Sequence, residues 1–343
     1  MVGILTRCFI KDREDVKNPA VRKLYGMLCS LLGISLNVLL FGGKFFMGRL
    51  TGSVAITADA FNNLSDAGSS CVTLVGFKFA GAKPDRDHPY GHGRIEYLSG
   101  LAVSVAILLM GFRLAETSFV KILHPEAVDT SPAAFLVLTA SIAVKLYMAF
   151  YNHRIGRKID SAAMKATATD SLSDSVATTV VLLSMLILKF TGLNVDGVGG
   201  MLVAAFIIYA GYGAARDTLN PLLGQPPEKE FVNQIAKIVM SYDGIEGVHD
   251  LVVHDYGPGR VMISLHAEVP GNRDIFELHD VVDQAEIRLK EELGCEAVIH
   301  MDPIVVDDQA VDDMKKRIME LVHNIDGKIT IHDFRMVKGP THT

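Results

Sequence analysis

The amino-acid sequence predicts an all-α bundle of six transmembrane helices followed by a C-terminal α/β domain. Of its 343 residues, 49% are hydrophobic and the mean hydropathy is +0.29, which is more apolar than a typical soluble protein of this length. The apolar residues are concentrated between Leu24 and about Ala215, whereas the chain from Asn220 onward has the charged, patterned sequence of a water-soluble domain. These two observations predict one domain in lipid and one in water.

Six segments are long and apolar enough to be considered as membrane spans. A helix that crosses the hydrocarbon core needs about 20 mainly apolar residues. The segments that satisfy this requirement are 24–47, 54–80, 97–120, 132–151, 166–189 and 195–215. The second and fifth segments differ from the other four because they contain several carboxylates.

Basic residues are distributed unevenly between the connections that join the spans. The N-terminal segment and the second and fourth connections are basic, as at Arg154, Arg157 and Lys158, whereas the first, third and fifth connections carry almost no Lys or Arg. Because Lys and Arg accumulate on the cytoplasmic side of membrane proteins, both termini are predicted to lie in the cytoplasm. Neither a cleaved signal peptide nor an organelle targeting peptide is indicated, so we expect a multi-pass protein of the cell membrane, in the inner membrane of a bacterium.

Composition and motifs argue against several classes of function. The formal net charge of −6 and the lack of a Lys/Arg block give no indication of a nucleic-acid partner. The four cysteines have no CxxC spacing, which indicates neither a disulfide framework nor a thiolate metal site. No nucleophile–base pattern or phosphate-binding loop indicates an enzyme, and no span carries the Arg repeat of a voltage sensor.

Carboxylates and an amide form polar stripes on the second and fifth spans. Asn62 and Asp66 lie one helical turn apart on the second span, as do Asp170 and Asp174 on the fifth. A charged side chain at the bilayer centre costs at least about 2.5–3.5 kcal/mol, so such residues are rare without a function. If the two helices face each other, the four side chains form a pocket of oxygen ligands with about three negative charges.

Neither stripe contains Lys or Arg, so the sequence predicts that a divalent cation or protons must neutralise the pocket. The alternative interpretation is that these residues are packing groups or helix caps outside the hydrocarbon region. That alternative fits best for Asp59, which lies near the start of the second span.

Three segments resemble the cation diffusion facilitator family: ITADAFNNLSDAGSS, DRDHPYGHGRIEYLSG and ATATDSLSDSVAT. The resemblance covers the order of six spans and a cytoplasmic domain, through about Pro303. It implies a homodimer that exports a divalent metal from the cytoplasm in exchange for protons. It also implies that the transport site takes two residues on the second span and two on the fifth, which here are Asn62, Asp66, Asp170 and Asp174.

The residues at two of these positions distinguish branches of the family. The zinc-transporting pattern has His at position 170 and usually His or Asp at position 62, where this chain has Asp170 and Asn62. This set resembles the manganese-transporting branch, and carboxylate and amide oxygens suit Mn(II) as imidazole suits Zn(II). Since all-oxygen sites also accept Fe(II) and Zn(II), export of those metals is an alternative, and the abundance of His in the cytoplasmic domain favours zinc.

Competition between metal and protons suggests a mechanism. Carboxylates must be deprotonated to bind metal, so both cations compete for the same oxygens. We expect Asp66, Asp170 and Asp174 to act as ligands and proton carriers, and Asn62 to supply a neutral oxygen. A protein of a different class, a membrane-anchored sensor that binds metal without moving it, is also compatible with the sequence.

A second potential metal site lies in the loop between spans two and three. Asp85, His88 and His92 are closely spaced there, and the resemblance implies that zinc-transporting relatives bind metal at matching positions. The alternative is that His92 and its glycine neighbours shape a turn and that Arg94 and Glu96 pair electrostatically.

The soluble domain is predicted to have the order α-β-β-α-β, with helices at about 228–241 and 274–293 and strands at about 247–255, 260–269 and 296–301. This order resembles the ferredoxin-like, metallochaperone-type cytoplasmic domain of the family, for which dimerisation is the expected function. Five side chains match positions at which zinc-transporting relatives bind regulatory metal: His249, His266, His279, His300 and Asp302. Surface or packing roles are the alternative for these residues.

The last part of the chain is an additional element. Residues 309–343 resemble the helix and first strand of the preceding domain, with HDF at 332–334 matching HDL at 249–251. This similarity predicts a partial second copy, which is either truncated or pairs elsewhere in the dimer. The predicted segments are an N-terminal cytoplasmic segment, a transmembrane transport domain, a cytoplasmic domain and an extension, at residues 1–23, 24–217, 218–305 and 306–343.

Overall fold

A computed structural model of the chain describes residues 2–10, 14–16, 18–51, 54–124, 131–306, 308–327, 329, 331, 334 and 336. Contacts divide the chain into two units. The membrane unit comprises Met1–Gly224 with Tyr256–Gly259, and the C-terminal unit comprises Gln225–Asp255 with Arg260–Thr343.

The described part of the membrane unit is helical. Its helices are α1 (Val2–Phe9), α2 (Pro19–Thr51), α3 (Val54–Ala80), α4 (Ile95–Leu123), α5 (Pro132–Lys158), α6 (Ala162–Thr191) and α7 (Asp196–Leu223). Five of them, α2 and α4 to α7, are long and apolar enough to cross a membrane. With 27 residues, α3 has the length of a span, but its polar residues lower its hydropathy, so the sixth span stays a prediction.

Several helices continue beyond the segments that hydropathy predicts. Helix α2 begins at Pro19, α5 ends at Lys158 and α7 ends at Leu223, each past the apolar segment on the side predicted to be cytoplasmic. Hydropathy marks only the part of a helix in the hydrocarbon core, while backbone hydrogen bonds extend the same helix into water. The helix ends therefore differ from the predicted span ends, while the order of the helices agrees.

The helices pack so that α3 and α6 come together in the bundle. Helix α3 packs against α2 and α4 and contacts α6, and α5 packs against α6 and α2. Side chains from α1, α2, α3, α5 and α6 form a shared core that includes Tyr25, Phe77, Tyr151 and Met164. On α4, Gly100 permits close approach to α6, since an added Cβ would lie 3.0 Å from the Ala163 Cα.

A buried ion pair joins the helix ends on the predicted cytoplasmic side. The two Arg22 Nη atoms donate to the Glu96 carboxylate at 2.6 and 3.1 Å. Arg22 also donates to the backbone carbonyls of Ile159 and Asp160, between α5 and α6. One guanidinium on α2 therefore holds the start of α4 and the α5–α6 connection.

The C-terminal unit has the predicted α-β-β-α-β order. It contains α8 (Lys229–Val239), β1 (Gly247–Asp255), β2 (Val261–Pro270), α9 (Ile275–Leu293), β3 (Cys295–Ile304) and α10 (Gln309–Ile325). Strand β1 pairs antiparallel with β2, and β2 pairs parallel with β3, which gives a mixed sheet of order β1-β2-β3. Together with the membrane helices, this domain confirms the predicted fold class.

The core of the C-terminal unit and its last helix differ in burial. Leu265 on β2 and Leu289 on α9 are fully buried in a core formed by the helices and one face of the sheet. In α10, Val311 is buried, whereas Leu321 and Ile325 are exposed. The predicted repeat of the first strand includes residues 332 and 333, which lie outside the described residues.

Candidate metal centre

Three carboxylates, two of them buried and one half-buried, converge between α3 and α6. One carboxylate oxygen from each of Asp66, Asp170 and Asp174 lies within 4.8 Å of the others. Asp66 is 7% exposed and Asp170 is 5% exposed, while Asp174 is half-buried. The structure therefore brings together the three aspartates that the sequence pattern predicts.

Helical periodicity explains why the aspartates face one another. On α3, Asn63, Asp66 and Ser70 are buried at spacings of three and four residues, which places them on the inward face. On α6, Asp170 and Asp174 are one turn apart.

A hydrogen bond between two hydroxyl groups fixes the position of α3 relative to α6. Thr73 Oγ1 and Thr167 Oγ1 are 3.2 Å apart, and both side chains are buried. Each threonine is within two turns of a site aspartate on its own helix. This contact therefore supports the register in which the carboxylates meet.

The amide predicted at the site is placed differently from the carboxylates. Asn62 is exposed on α3, and the neighbouring Asn63 is 3% exposed. Asn63 Oδ1 is buried and has no hydrogen-bond partner in the described part of the chain. A role for Asn62 as a ligand stays a prediction, and Asn63 is the amide on the buried face with Asp66.

Lys145 is the site residue that the sequence analysis missed. Its Nζ lies 2.6 Å from Asp66 Oδ2 and 2.7 Å from Asp174 Oδ2. The prediction that only a divalent cation or protons neutralise the carboxylates is therefore wrong. The polar stripes of α3 and α6 contain no Lys or Arg, whereas Lys145 comes from α5. Its isolated position within an apolar span was the signal that could have identified it.

A second buried lysine pairs with an aspartate outside this group. Lys44 Nζ is 2.8 Å from Asp59 Oδ2, and the Lys44 side chain is 4% exposed. This contact joins α2 and α3, and the Lys44 ammonium compensates the negative charge of Asp59. Asp59 therefore has a structural partner, consistent with its separation from the predicted ligand set.

The loop before α4 brings its three predicted ligands together. Asp85, His88 and His92 each offer an atom within 4.8 Å of the others. The backbone N–H of His88 donates to Asp85 Oδ1 at 2.7 Å, and this bond, with the nearby imidazoles, lowers the pKa of Asp85 below its ordinary value. The backbone N–H of Gly91, which has a φ of 83°, donates to the His88 carbonyl at 2.9 Å, so a turn beside His92 also agrees with the geometry. The Glu96 carboxylate pairs with Arg22 on α2.

The cytoplasmic domain contains a third cluster, built by the register of its strands. Strand pairing places His249 opposite His266 and His266 opposite His300. Asp302 Oδ2 lies 2.8 Å from His266 Nδ1 and 3.4 Å from His249 Nε2. Burial raises the pKa of Asp302, but the hydrogen bond with His266 and the nearby imidazoles outweigh it, so the pKa lies below its ordinary value.

The five predicted ligands of this domain do not all converge. His249, His266 and Asp302 form a group whose atoms lie within 4.8 Å of one another. His300 contacts the edge of the group, with Nε2 3.5 Å from Asp302 Oδ1, and its side chain is 67% exposed. His279 lies on α9, is exposed and is 3.6 Å from Asp283, so the described structure does not place it in the cluster.

Comparison with known proteins defines the class to which this fold and site belong. Residues 30–223 match the family model described as the cation efflux transmembrane domain, and residues 227–304 match the cytoplasmic domain of cation efflux proteins. The chain therefore belongs to the cation efflux family of membrane transporters, which confirms the resemblance found in the sequence. Transport, rather than catalysis, is the activity of this family.

Individual relatives are similar over most of their length. An uncharacterised transporter of Methanocaldococcus jannaschii is 31% identical over 290 residues, which cover 84% of this chain and 99% of the relative. The manganese efflux system protein MneS of Bacillus subtilis is 25% identical over 276 residues, covering 80% and 94%. The cation-efflux pump FieF of Escherichia fergusonii is 26% identical over 286 residues, covering 82% and 95%.

Proposed function

We propose that this protein exports Mn(II) from the cytoplasm in exchange for protons, with Asp66, Asp170 and Asp174 as the transport site. The observation that carries the proposal is the convergence of three carboxylates, two of them buried, on two membrane helices. Within the described residues, this group contains neither imidazole nor thiolate. Hard oxygen ligands favour Mn(II) over softer metals, and the similarity to a manganese efflux protein supports the same choice.

Proton exchange follows from the chemistry of the ligands. A carboxylate binds either a metal ion or a proton, so the metal and protons displace each other. We propose that the site loads metal on the cytoplasmic side and releases it on the other side, where protons replace it. The carboxylate oxygens that hold the metal on the way out therefore carry the protons on the way back.

The orientation and assembly of the protein form part of the proposal. The basic connections, including Arg154 and Arg157, favour cytoplasmic termini in a bacterial cell membrane. A homodimer is proposed because the C-terminal unit matches the cytoplasmic domain of cation efflux proteins. The His249, His266 and Asp302 cluster is proposed as a regulatory metal site, and the loop cluster at Asp85 as another.

Export of Zn(II) is the second candidate function. The imidazoles of His249 and His266 beside Asp302 form a ligand set that suits Zn(II), and this cluster favours zinc handling in the cytoplasmic domain. A regulatory site for one metal and a transport site for another are chemically compatible. The two functions differ in which metal crosses the membrane.

Transport in liposomes distinguishes these functions. The purified protein is reconstituted, a pH gradient is imposed, and uptake of Mn(II), Zn(II) and Fe(II) is measured. We expect Mn(II) uptake driven by the gradient, its loss in Asp174→Asn, and its retention in the control Asp217→Asn, which changes an exposed aspartate on α7. Uptake of Zn(II) without Mn(II) would contradict the choice of metal, and saturable binding without uptake of any metal would favour a sensor.

A further inference from the structure

Lys145 is a buried basic residue in the middle of an apolar helix. Its side chain is 3% exposed, and its four-carbon stem places the ammonium between carboxylates from α3 and α6. A charge in this environment is costly and persists only with compensating partners. Its partners, Asp66 and Asp174, belong to the proposed transport site.

The charge ratio at this site differs from that of a purely structural ion pair. Lys44 and Asp59 balance one positive charge with one negative charge. Around Lys145, three carboxylates and one ammonium leave a formal charge of −2. One divalent cation cancels this remaining charge.

We propose that Lys145 is an internal counter-cation that competes with the transported divalent cation for Asp66 and Asp174. This inference rests on the proposed function, because it assigns a role in the same site. The ammonium contacts one oxygen of each aspartate at 2.6 and 2.7 Å, so an arriving cation has to displace it from those oxygens. Lysine suits this role because its charge is compact and its stem is flexible.

Competition by a tethered charge weakens cation binding and assists release. The ammonium remains attached to α5 and returns to the carboxylates when the divalent cation leaves. Its proximity also repels a bound cation through a low-dielectric interior. Removal of this charge should therefore tighten binding and not weaken it, which is opposite to the result expected for a lysine that only maintains the fold.

Binding of Mn(II) to the purified full-length chain tests the inference by titration calorimetry, with all variants compared at the same pH of about 8, which is above the ordinary carboxylate pKa. In Lys145→Met we expect the Kd to fall at least about tenfold, equivalent to about 1.4 kcal/mol. Lys145→Gln is a second neutral variant that keeps a hydrogen-bond donor for the carboxylates, and the same direction is expected. The matched control is Lys44→Met, which removes a buried lysine from another ion pair and should leave the Kd within about threefold of wild type.

The outcomes separate the inference from the proposed function. An unchanged or higher Kd in a folded Lys145→Met or Lys145→Gln protein would overturn the inference. Equal tightening in Lys44→Met would also overturn it, because the effect would then be long-range charge rather than competition. The proposed function itself fails if the wild-type protein binds no Mn(II), or if Asp174→Asn leaves all of its Mn(II) binding in place. Size-exclusion profiles establish that each variant is folded.

Discussion

Replacing Arg22 with methionine removes the positive charge that holds the start of α4 and the α5–α6 connection. The guanidinium pairs with Glu96, which is 1% exposed, and donates to the carbonyls of Ile159 and Asp160. Without Arg22, the Glu96 carboxylate is buried without its counter-charge and both carbonyls lose a donor. Breaking a buried ion pair from one side costs about 3–5 kcal/mol, so we expect a loss of this size in the free energy of unfolding.

The assay is reversible unfolding in mixed micelles, followed by circular dichroism as the fraction of denaturing detergent rises. Lys23→Met is the control, because it removes the same charge at the adjacent position and is expected to change stability by less than about 0.5 kcal/mol. In the double variant Arg22→Met with Glu96→Gln, we expect part of the loss to be recovered, since no charge remains buried without a partner. A loss below about 1 kcal/mol in Arg22→Met would refute the reasoning.

Three further predictions concern other parts of the chain. Leu265→Ala should lower the free energy of unfolding of the C-terminal unit by about 2–5 kcal/mol in chemical unfolding, because Leu265 is 0% exposed. The control is Val298→Ala at an exposed position, and an equal loss of unfolding free energy in the two variants would contradict the prediction. Because the pKa of Asp302 is lowered in the fold, its stabilisation is present above the ordinary carboxylate pKa and is lost as the pH falls through the lowered value. Asp302→Asn should therefore flatten the acid side of the stability profile measured between about pH 2 and 6, and an unchanged slope would argue against it. Thr73→Val should leave the protein folded but reduce Mn(II) uptake in liposomes, since it removes the hydroxyl contact between α3 and α6; full uptake would exclude a positioning role.

Much of the fold follows from the sequence because hydropathy and periodicity are local signals. Five predicted spans are apolar enough to be recognised on composition, and alternation in the soluble part predicts the order of strands and helices. The second predicted span is harder to recognise because the residues of the site reduce its hydropathy. Its polar character therefore obscures the span and at the same time identifies the site.

The three aspartates were predictable because a carboxylate in a membrane helix is costly and a four-residue spacing puts two on one face. Lys145 was not assigned to the site, because its contacts with Asp66 and Asp174 depend on how α5 packs against its neighbours. The spacing of polar residues along one helix does not show which neighbouring helix packs against them.

The choice between Asn62 and Asn63 shows a second limit of periodicity. The two residues lie four and three positions before Asp66, and both spacings place a side chain near the same helical face. The structure buries Asn63 and exposes Asn62. In the cytoplasmic domain, the pairing of β1 with β2 similarly decides that His249 meets His266, while His279 on α9 faces elsewhere.

The most direct test of the central claim is a structure of the protein with Mn(II), in which anomalous scattering identifies the metal. We expect an anomalous peak within coordination distance of carboxylate oxygens from Asp66, Asp170 and Asp174, with Lys145 Nζ withdrawn from those oxygens. The same map shows whether an asparagine on α3 completes the site. A strong peak elsewhere in the membrane unit, with Asp66 and Asp174 still paired to Lys145 and none of the three carboxylates bound to metal, would contradict the account.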